Sequence, residues 1–128
     1  MIRGVGTDMV EIPRVDALLR RYGDAFLHKI LSADEAAACR GRVRPAEYAA
    51  GRFAAKESVL KALGTGLFSG VSLCDIEIRS GASGEPCVVL SGPAARRAAE
   101  LGIRRVHVSI SHTAGNAVAV AVAVGDGR

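Results

Sequence analysis

Residues 51–66 read GRFAAKESVLKALGTG and carry most of the longest helical pattern in the chain. The pattern begins at Pro45, because proline is well suited to the first turn of a helix, and it stops at Gly64. Glu57 and Lys61 are four residues apart and therefore share one face of the predicted helix. We expect this helix to be the centre of the molecule.

Shorter helices and strands precede and follow the long helix. Helices are predicted from Pro13 to Gly23, from the Ser32–Glu35 capping box to about Cys39, and from Pro93 to Leu101. Strands are predicted over 1–7, 75–79, 86–90, 106–111 and 117–124. This mixture predicts an α+β fold in which the long helix packs on a small antiparallel sheet. The length of 128 residues predicts a single domain over 1–128.

Two of the predicted strands contain unusually small residues. Gly4 and Gly6 interrupt the first strand, which is typical of a backbone closely approached by a neighbour. The last strand, AVAVAVAV at 117–124, puts every valine on one face and every alanine on the other. The alanine face therefore leaves room for close approach by a helix or by another chain.

The composition limits the kinds of partner. Seventeen Lys and Arg against 13 Asp and Glu give a formal net charge of +4, which favours an anionic partner. This charge is modest for a nucleic-acid-binding protein, and two Tyr and three Phe supply few platforms for stacking on bases, so we expect no nucleic-acid partner. No apolar run is long enough for a membrane span or a signal peptide. We therefore expect no membrane association and a cytoplasmic location.

The Glu-Lys pair on the long helix has two interpretations. Such pairs are the commonest solvated pairs on helices, where they stabilise by only about 0.2–0.5 kcal/mol. Arg52 and Lys56 flank this pair, however, and the helix runs into Gly64-Thr65-Gly66. A hydroxyl between glycines beside several cations suits a phosphate-bearing ligand. The alternative for the glycine segment is an ordinary helix C-cap and turn.

Asp8 follows the two glycines of the first strand, at its predicted exit. It is either a turn residue or helix cap, or a ligand of a hard metal ion. Magnesium takes one or two protein carboxylates and completes its octahedron with water and phosphate oxygens. Asp8 together with Glu57 would therefore be sufficient for a magnesium site.

The segment SISHT at 109–113 ends a predicted strand. It presents hydroxyls and an imidazole together at one strand end, and such a group can donate several hydrogen bonds to a phosphate. A histidine at the end of a strand is otherwise structural or merely exposed.

Four segments together resemble one known family. They are GVGTDMVEI at 4–12, the segment 51–66, DIEI at 75–78 and HVSISHTAG at 107–115. In order and spacing they resemble the phosphopantetheinyl transferase superfamily, in its short bacterial branch, over almost the whole chain. The resemblance implies transfer of the 4'-phosphopantetheine arm of coenzyme A to a serine of apo acyl carrier protein, with 3',5'-ADP as leaving group. It also implies dependence on Mg²⁺ and a homotrimer with active sites between subunits.

The resemblance also implies roles for the candidate residues. Asp8 and Glu57 would hold Mg²⁺ on the pyrophosphate of coenzyme A, and Lys61 would lie beside its bridging oxygens. Glu57 is in addition the candidate base, either directly or through a water on the ion. The residues that correspond to further coenzyme A contacts are Arg52, Gly64, Thr65, Gly66, Ser111 and His112.

Three arginines on the first predicted helix are candidates for docking of the carrier. Acyl carrier proteins are acidic, which gives the positive charge of this chain a purpose. Arg14, Arg20 and Arg21 are the docking candidates. A solvated helix face is the alternative explanation for the same arginines.

Two other functions stay open on the sequence alone. A noncatalytic basic module with a degenerate coenzyme A fold would bind an acidic protein or nucleic acid without turnover. A different magnesium-dependent phosphoryl enzyme, such as a nucleotide hydrolase, is disfavoured. The sequence has neither a Walker A motif nor a dense cluster of carboxylates.

Overall fold

A computed structural model describes residues 1–65 and 70–126. The strands are β1 (Ile2–Glu11), β2 (Ile76–Ser80), β3 (Pro86–Leu90), β4 (Ile103–His112) and β5 (Asn116–Gly125). The helices are α1 (Ile12–Tyr22), α2 (Asp24–Ile30), α3 (Ala33–Arg40), α4 (Pro45–Ala62) and α5 (Gly92–Glu100). Within these two ranges, no helix combines the length and the apolar character needed to cross a membrane.

The main sheet has three strands in the order β1-β5-β4, and both pairings are antiparallel. Strands β2 and β3 form a separate antiparallel hairpin. The long helix α4 packs on the main sheet, chiefly on β1 and β5. The predicted α+β fold, with a long helix on a small antiparallel sheet, is therefore confirmed.

Three elements differ from the prediction, and one of them is β4, which runs from Ile103 to His112 and is longer than the predicted strand over 106–111. Helix α2 was not predicted, because Gly23 was expected to end the helical region, whereas a second helix starts directly after it. Strand β1 is longer than predicted, since its pairing with β5 continues to Glu11. Asp8 therefore lies within β1 and not at its exit.

Strand β1 lies directly against α4 at its two glycines. A Cβ atom added at Gly4 would be 1.9 Å from the carbonyl oxygen of Ala62. One added at Gly6 would be 2.0 Å from the carbonyl oxygen of Ser58. No side chain fits at either position. The predicted close approach is confirmed, and the neighbour is α4.

The two faces of β5 have different environments. The alanine face is buried against α4 and consists of Ala117, Ala119, Ala121 and Ala123. The opposite face, called the outer face below, carries Val118, Val120, Val122 and Val124. Val118 and Val120 are 40% and 36% exposed. Of the two predicted neighbours for the alanine face, a helix is the one observed.

Lys56 and Glu35 form an ion pair in the interior. The Nζ atom of Lys56 lies 2.5 Å from Oε1 of Glu35 and donates to the carbonyl oxygen of Leu73 at 3.1 Å. Glu35 also accepts from the backbone nitrogens of Ser32 and Ile78, both at 2.8 Å. Since both buried charges have partners, the network fixes α3, α4 and β2 relative to one another. Lys56 is 0% exposed, so its predicted place among cations facing a ligand is wrong.

Candidate active site

Asp8, Glu57 and Lys61 converge where α4 crosses β1. Asp8 pairs with Ala119 in the sheet, so its side chain points to the face that α4 covers. The Nζ atom of Lys61 lies 3.2 Å from Oδ1 of Asp8 and donates to the carbonyl oxygen of Thr7 at 2.8 Å. The structure thus brings together the three residues that the sequence predicted for the reaction centre.

Glu57 joins this group from one turn earlier on α4. Its pKa is raised above the ordinary value, first because burial disfavours the charged carboxylate and second because Asp8 is a nearby negative charge. The ammonium of Lys61 acts in the opposite direction. The two carboxylates therefore repel each other across one site, and a cation between them would relieve that repulsion.

This set of donors suits a hard divalent cation. Magnesium needs only one or two carboxylates when phosphate oxygens and water supply its other ligands. Within residues 1–65 and 70–126, no three of the residue types His, Cys, Asp and Glu come together as a metal cluster. Two carboxylates, Asp8 and Glu57, are enough for a magnesium ion that shares a phosphate ligand, and the magnesium site stays a prediction.

Apart from the group of Asp8, Glu57 and Lys61, a cleft of about 500 Å³ opens beside the first half of α4 and is called the second cleft below. The charged and aromatic side chains that line it are Arg42, Arg44, Arg52, His112, Glu47 and Tyr48. The Nε2 atom of His112 lies 3.3 Å from Oε1 of Glu47. Three guanidinium groups against one carboxylate make this cleft suitable for an anion. Arg52 and His112, both predicted as coenzyme A contacts, lie in the wall of this cleft.

Sequence reasoning missed three residues of the second cleft: Arg42, Arg44 and Tyr48. A signal was present in the segment 40–45, RGRVRP, where arginine recurs at every second position just before α4 begins. Such a run has no helical periodicity, so its clustering on one side depends on the tertiary structure.

Ser111 and His112 point to opposite faces of the main sheet. Ser111 pairs with Val118 on the outer face, whereas His112 pairs with the buried Ala117 on the face covered by α4. The prediction that SISHT presents its hydroxyls and imidazole together is therefore wrong within one chain. Successive residues of a strand alternate between faces.

The end of α4 is an ordinary C-cap. Gly64 adopts a left-handed conformation with φ of 67°. The hydroxyl of Thr65 donates to the carbonyl oxygen of Leu60 at 3.2 Å, and its backbone nitrogen donates to the same oxygen at 3.0 Å. The hydroxyl proton of Thr65 is therefore used within the chain. Gly66 lies outside the described residues, and the coenzyme A contacts of this segment stay predictions.

The two groups of candidate residues lie on different flanks of α4. Residues of an α-helix follow one another at about 100°, so Arg52 and Glu57 are separated by about 140° around the axis. Around the helix axis, the buried side chains of Lys56 and Leu60 lie in the sector of about 140° between Arg52 and Glu57. The main sheet contacts α4 in the remaining sector, at Ser58. Arg52 therefore projects from a different flank of α4 than Glu57 does, with the buried Lys56 and Leu60 between them.

The arginines of α1 are all exposed. Arg14 and Arg21 are seven residues apart and share one stripe of the helix. Arg20 lies on another face, where its Nε contacts the carboxylate of Asp16 at 2.9 Å. Only two of the three predicted docking arginines therefore point in the same direction.

Comparison with known proteins assigns this fold, and its group of Asp8, Glu57 and Lys61, to one protein superfamily. The family model of the 4'-phosphopantetheinyl transferase superfamily matches residues 4–123. The chain belongs to this superfamily, as its sequence motifs predicted.

Within the superfamily, the chain is similar to holo-[acyl-carrier-protein] synthases. It is 50% identical to that of Solidesulfovibrio magneticus, over 98% of this chain and 100% of the relative. The crystal structure of the synthase from Neisseria meningitidis has a TM-score of 0.88 at 39% identity, covering 97% of this chain and 99% of that one. The synthase from Bacillus anthracis, in complex with CoA (3',5'-ADP), has a TM-score of 0.81 at 38% identity, covering 98% and 99%.

Proposed function

We propose that this chain transfers the 4'-phosphopantetheine arm of coenzyme A to a serine of an apo acyl carrier protein and releases 3',5'-ADP. The observation that carries the proposal is the convergence of Asp8, Glu57 and Lys61 in a member of this superfamily. The full-length similarity to holo-[acyl-carrier-protein] synthases supports both substrates.

Asp8 and Glu57 are the proposed magnesium ligands, and the ion would neutralise charge on the pyrophosphate of coenzyme A when bound. Lys61 would also neutralise negative charge on the pyrophosphate. Its side chain is 54% exposed, and its two observed contacts leave one of its three protons for a phosphate oxygen. A protein accelerates phosphoryl transfer most by holding a cation beside the leaving oxygen, where negative charge develops.

In the proposed reaction the serine oxygen forms a bond to the β-phosphorus of coenzyme A. The bond from that phosphorus to the bridging oxygen breaks, and 3',5'-ADP leaves with the bridging oxygen. Lys61 stabilises the negative charge of the leaving group, and Glu57 accepts the proton of the serine, directly or through a water.

We also propose a homotrimer whose active sites lie between neighbouring subunits. The cleft of Arg52 and the site of Glu57 lie on different flanks of α4, and this arrangement lets a neighbouring subunit supply one of them to a coenzyme A held at the other. The outer face offers an apolar surface to cover, because Val5 and Met9 of β1 extend its valines and are 56% and 66% exposed. Ser111 lies on the same face and would meet a ligand held by the neighbour.

For the carrier protein, we propose docking on the stripe of α1 that carries Arg14 and Arg21. Both side chains are exposed and point the same way, which suits the acidic surface of a carrier. Arg20 contributes less, since Asp16 neutralises it locally.

The test of the transfer is the mass of the carrier after incubation with coenzyme A, Mg²⁺ and the protein. We expect the carrier to gain the mass of phosphopantetheine. Glu57→Gln and Lys61→Ala should lose most of this turnover, whereas Glu100→Gln, a change to an exposed carboxylate of α5, should retain it. Unmodified masses for several apo carriers would instead favour a noncatalytic binding module.

The test of the shared site is complementation between two defective variants. Glu57→Gln and Arg52→Gln damage different flanks of α4, so each homo-oligomer should have low activity. Mixed oligomers formed from the two should recover activity, because some interfaces then join an intact Glu57 to an intact Arg52. Mixtures that stay as inactive as their parents would contradict a site between subunits.

A further inference from the structure

The aromatic ring of Tyr48 holds two guanidinium groups. The Cζ atom of Arg42 lies 4.7 Å from the ring centroid, and that of Arg52 lies 4.8 Å from it. Both distances are within the range of cation–π attraction. Tyr48 is half-buried in the first turn of α4, and Arg52 follows one turn later. The ring thus links the chain segment before α4 to the helix itself.

Neither arginine has an ion-pair partner among residues 1–65 and 70–126. The Nη2 atom of Arg52 donates to Oγ of Ser80 at 3.2 Å. Its Nε atom is buried without a hydrogen-bond partner in the described part of the chain. The ring of Tyr48 is therefore a principal fixed contact for both Arg42 and Arg52, and neither guanidinium is held by a carboxylate of the described residues.

Two adjacent clefts share these three side chains. Arg42, Tyr48 and Arg52 line the 500 Å³ cleft and also a smaller one of about 270 Å³. The smaller cleft also carries Asp34, together with Glu77, which is paired with Arg79. Asp34 is in no ion pair in the described part of the chain, so an arginine released from the ring would be drawn towards it.

We propose that Tyr48 is a positioning residue whose ring holds Arg42 and Arg52 at the larger cleft, where their charge is available to a phosphate group of coenzyme A. The identity of this ligand rests on the function proposed above. Because the like charges are brought together before the ligand arrives, the ring improves binding by preorganisation. It touches no reacting atom, so it acts on affinity and not on the transfer step.

The direct test is the affinity for 3',5'-ADP, measured by titration calorimetry on the wild type and two variants. Tyr48→Leu removes both ring contacts and should weaken binding by about tenfold. Tyr48→Phe keeps the ring, so its affinity should stay within about twofold of the wild type. Tyr22→Leu is the matched control, because it removes a ring under Arg21 on α1, at 5.3 Å, and should not change the affinity.

A second measurement separates positioning from a direct ring–ligand contact. In a background of Arg42→Met with Arg52→Met, the ring has no guanidinium to hold, so Tyr48→Leu should cause no further loss of affinity. Thermal unfolding of each variant verifies the fold. With coenzyme A as substrate, Tyr48→Leu should raise KM and leave kcat within about twofold.

Three results would overturn the proposal. They are an unchanged affinity in Tyr48→Leu, an equal loss in Tyr48→Phe, and a full further loss in the double-methionine background. A wild type that bound no 3',5'-ADP would overturn the proposed function itself, and this proposal with it. The first three results leave the proposed function intact, so the two failures are distinguishable.

Discussion

The Nζ atom of Lys61 lies 3.2 Å from Oδ1 of Asp8, although the two residues are 53 positions apart in the chain. This contact pairs one proposed metal ligand with the cation that is proposed to stabilise the leaving group. When no divalent ion is bound, the ammonium partly neutralises Asp8. A bound ion would take over that role and release Lys61 towards the phosphate, so the charges of this site depend on one another.

Magnesium should stabilise the wild type and not its ligand variants. A ligand that binds only the folded state at about 100 times its Kd adds roughly 2.7 kcal/mol, a rise in Tm of several degrees. We expect this rise between EDTA and millimolar Mg²⁺ by calorimetry, and its loss in Asp8→Asn and Glu57→Gln. Glu100→Gln, at an exposed carboxylate of α5 that pairs with Arg97, should keep it. An undiminished rise in Glu57→Gln would remove that residue from the site.

In EDTA, Glu57→Gln should be more stable than the wild type at neutral pH. The folded pKa of Glu57 is raised, so between its ordinary value and the raised one the folded state binds more protons than the unfolded state. Stability therefore falls as pH rises through that window, and the glutamine variant escapes this loss. Because the group is partly solvated, we expect a gain below about 1 kcal/mol.

The measurement is Tm against pH for both proteins in EDTA. The two curves should meet below the ordinary pKa of a glutamate and separate as pH rises. A wild type more stable than the variant at neutral pH, without metal, would show that the carboxylate has a stabilising partner.

Local chemistry made much of the fold predictable. The capping box of Ser32 and Glu35 forms as predicted, with the Glu35 backbone nitrogen donating to the serine hydroxyl at 3.2 Å. Pro45 begins α4 and Gly64 follows its end, because proline and glycine act through their own backbone geometry. These signals need no knowledge of distant residues, which is why the sequence alone carried them.

Tertiary contacts account for what sequence reasoning missed. In the sequence, Lys56 is next to Glu57 and has the appearance of a solvent-facing cation. In the structure it is buried in an ion pair with Glu35 of α3, a contact between distant residues. The clustering of Arg42 and Arg52 likewise depends on the ring of Tyr48 between them in sequence. The opposite orientation of Ser111 and His112, by contrast, follows from strand alternation and could have been predicted.

Lys56→Met should be among the most destabilising single changes in the chain. It leaves Glu35 buried, 3% exposed, without its cation, which costs about 3–5 kcal/mol. Adding Glu35→Gln to this variant removes the isolated charge and should recover part of the loss. Lys29→Met, at an exposed lysine of α2, should change the free energy of urea unfolding by no more than about 0.5 kcal/mol. A mild effect of Lys56→Met would mean that the interior network relaxes or admits water.

Gly6→Ala should impair folding and activity together. Its Cβ atom would be 2.0 Å from the carbonyl oxygen of Ser58, so β1 and α4 must move apart. Overpacking of this kind costs about 1–3 kcal/mol or more, and here it also separates Asp8 from Lys61. Gly115→Ala is the control, because an added Cβ there meets nothing within 4 Å. Wild-type stability and turnover in Gly6→Ala would contradict the tight crossing.

Reversal of charge on the docking stripe should weaken binding of the carrier without changing the chemistry. Arg14→Glu and Arg21→Glu should each raise KM for the apo carrier by about tenfold, while kcat with saturating carrier changes little. Arg20→Glu should have a smaller effect, because Arg20 faces another side of α1, where it pairs with Asp16. The rise in KM should diminish in high salt, where exposed charges are screened beyond roughly 3–10 Å. Steady-state kinetics at several salt concentrations would measure these changes in KM. Equal effects of all three reversals would contradict a defined docking stripe and indicate general electrostatic attraction.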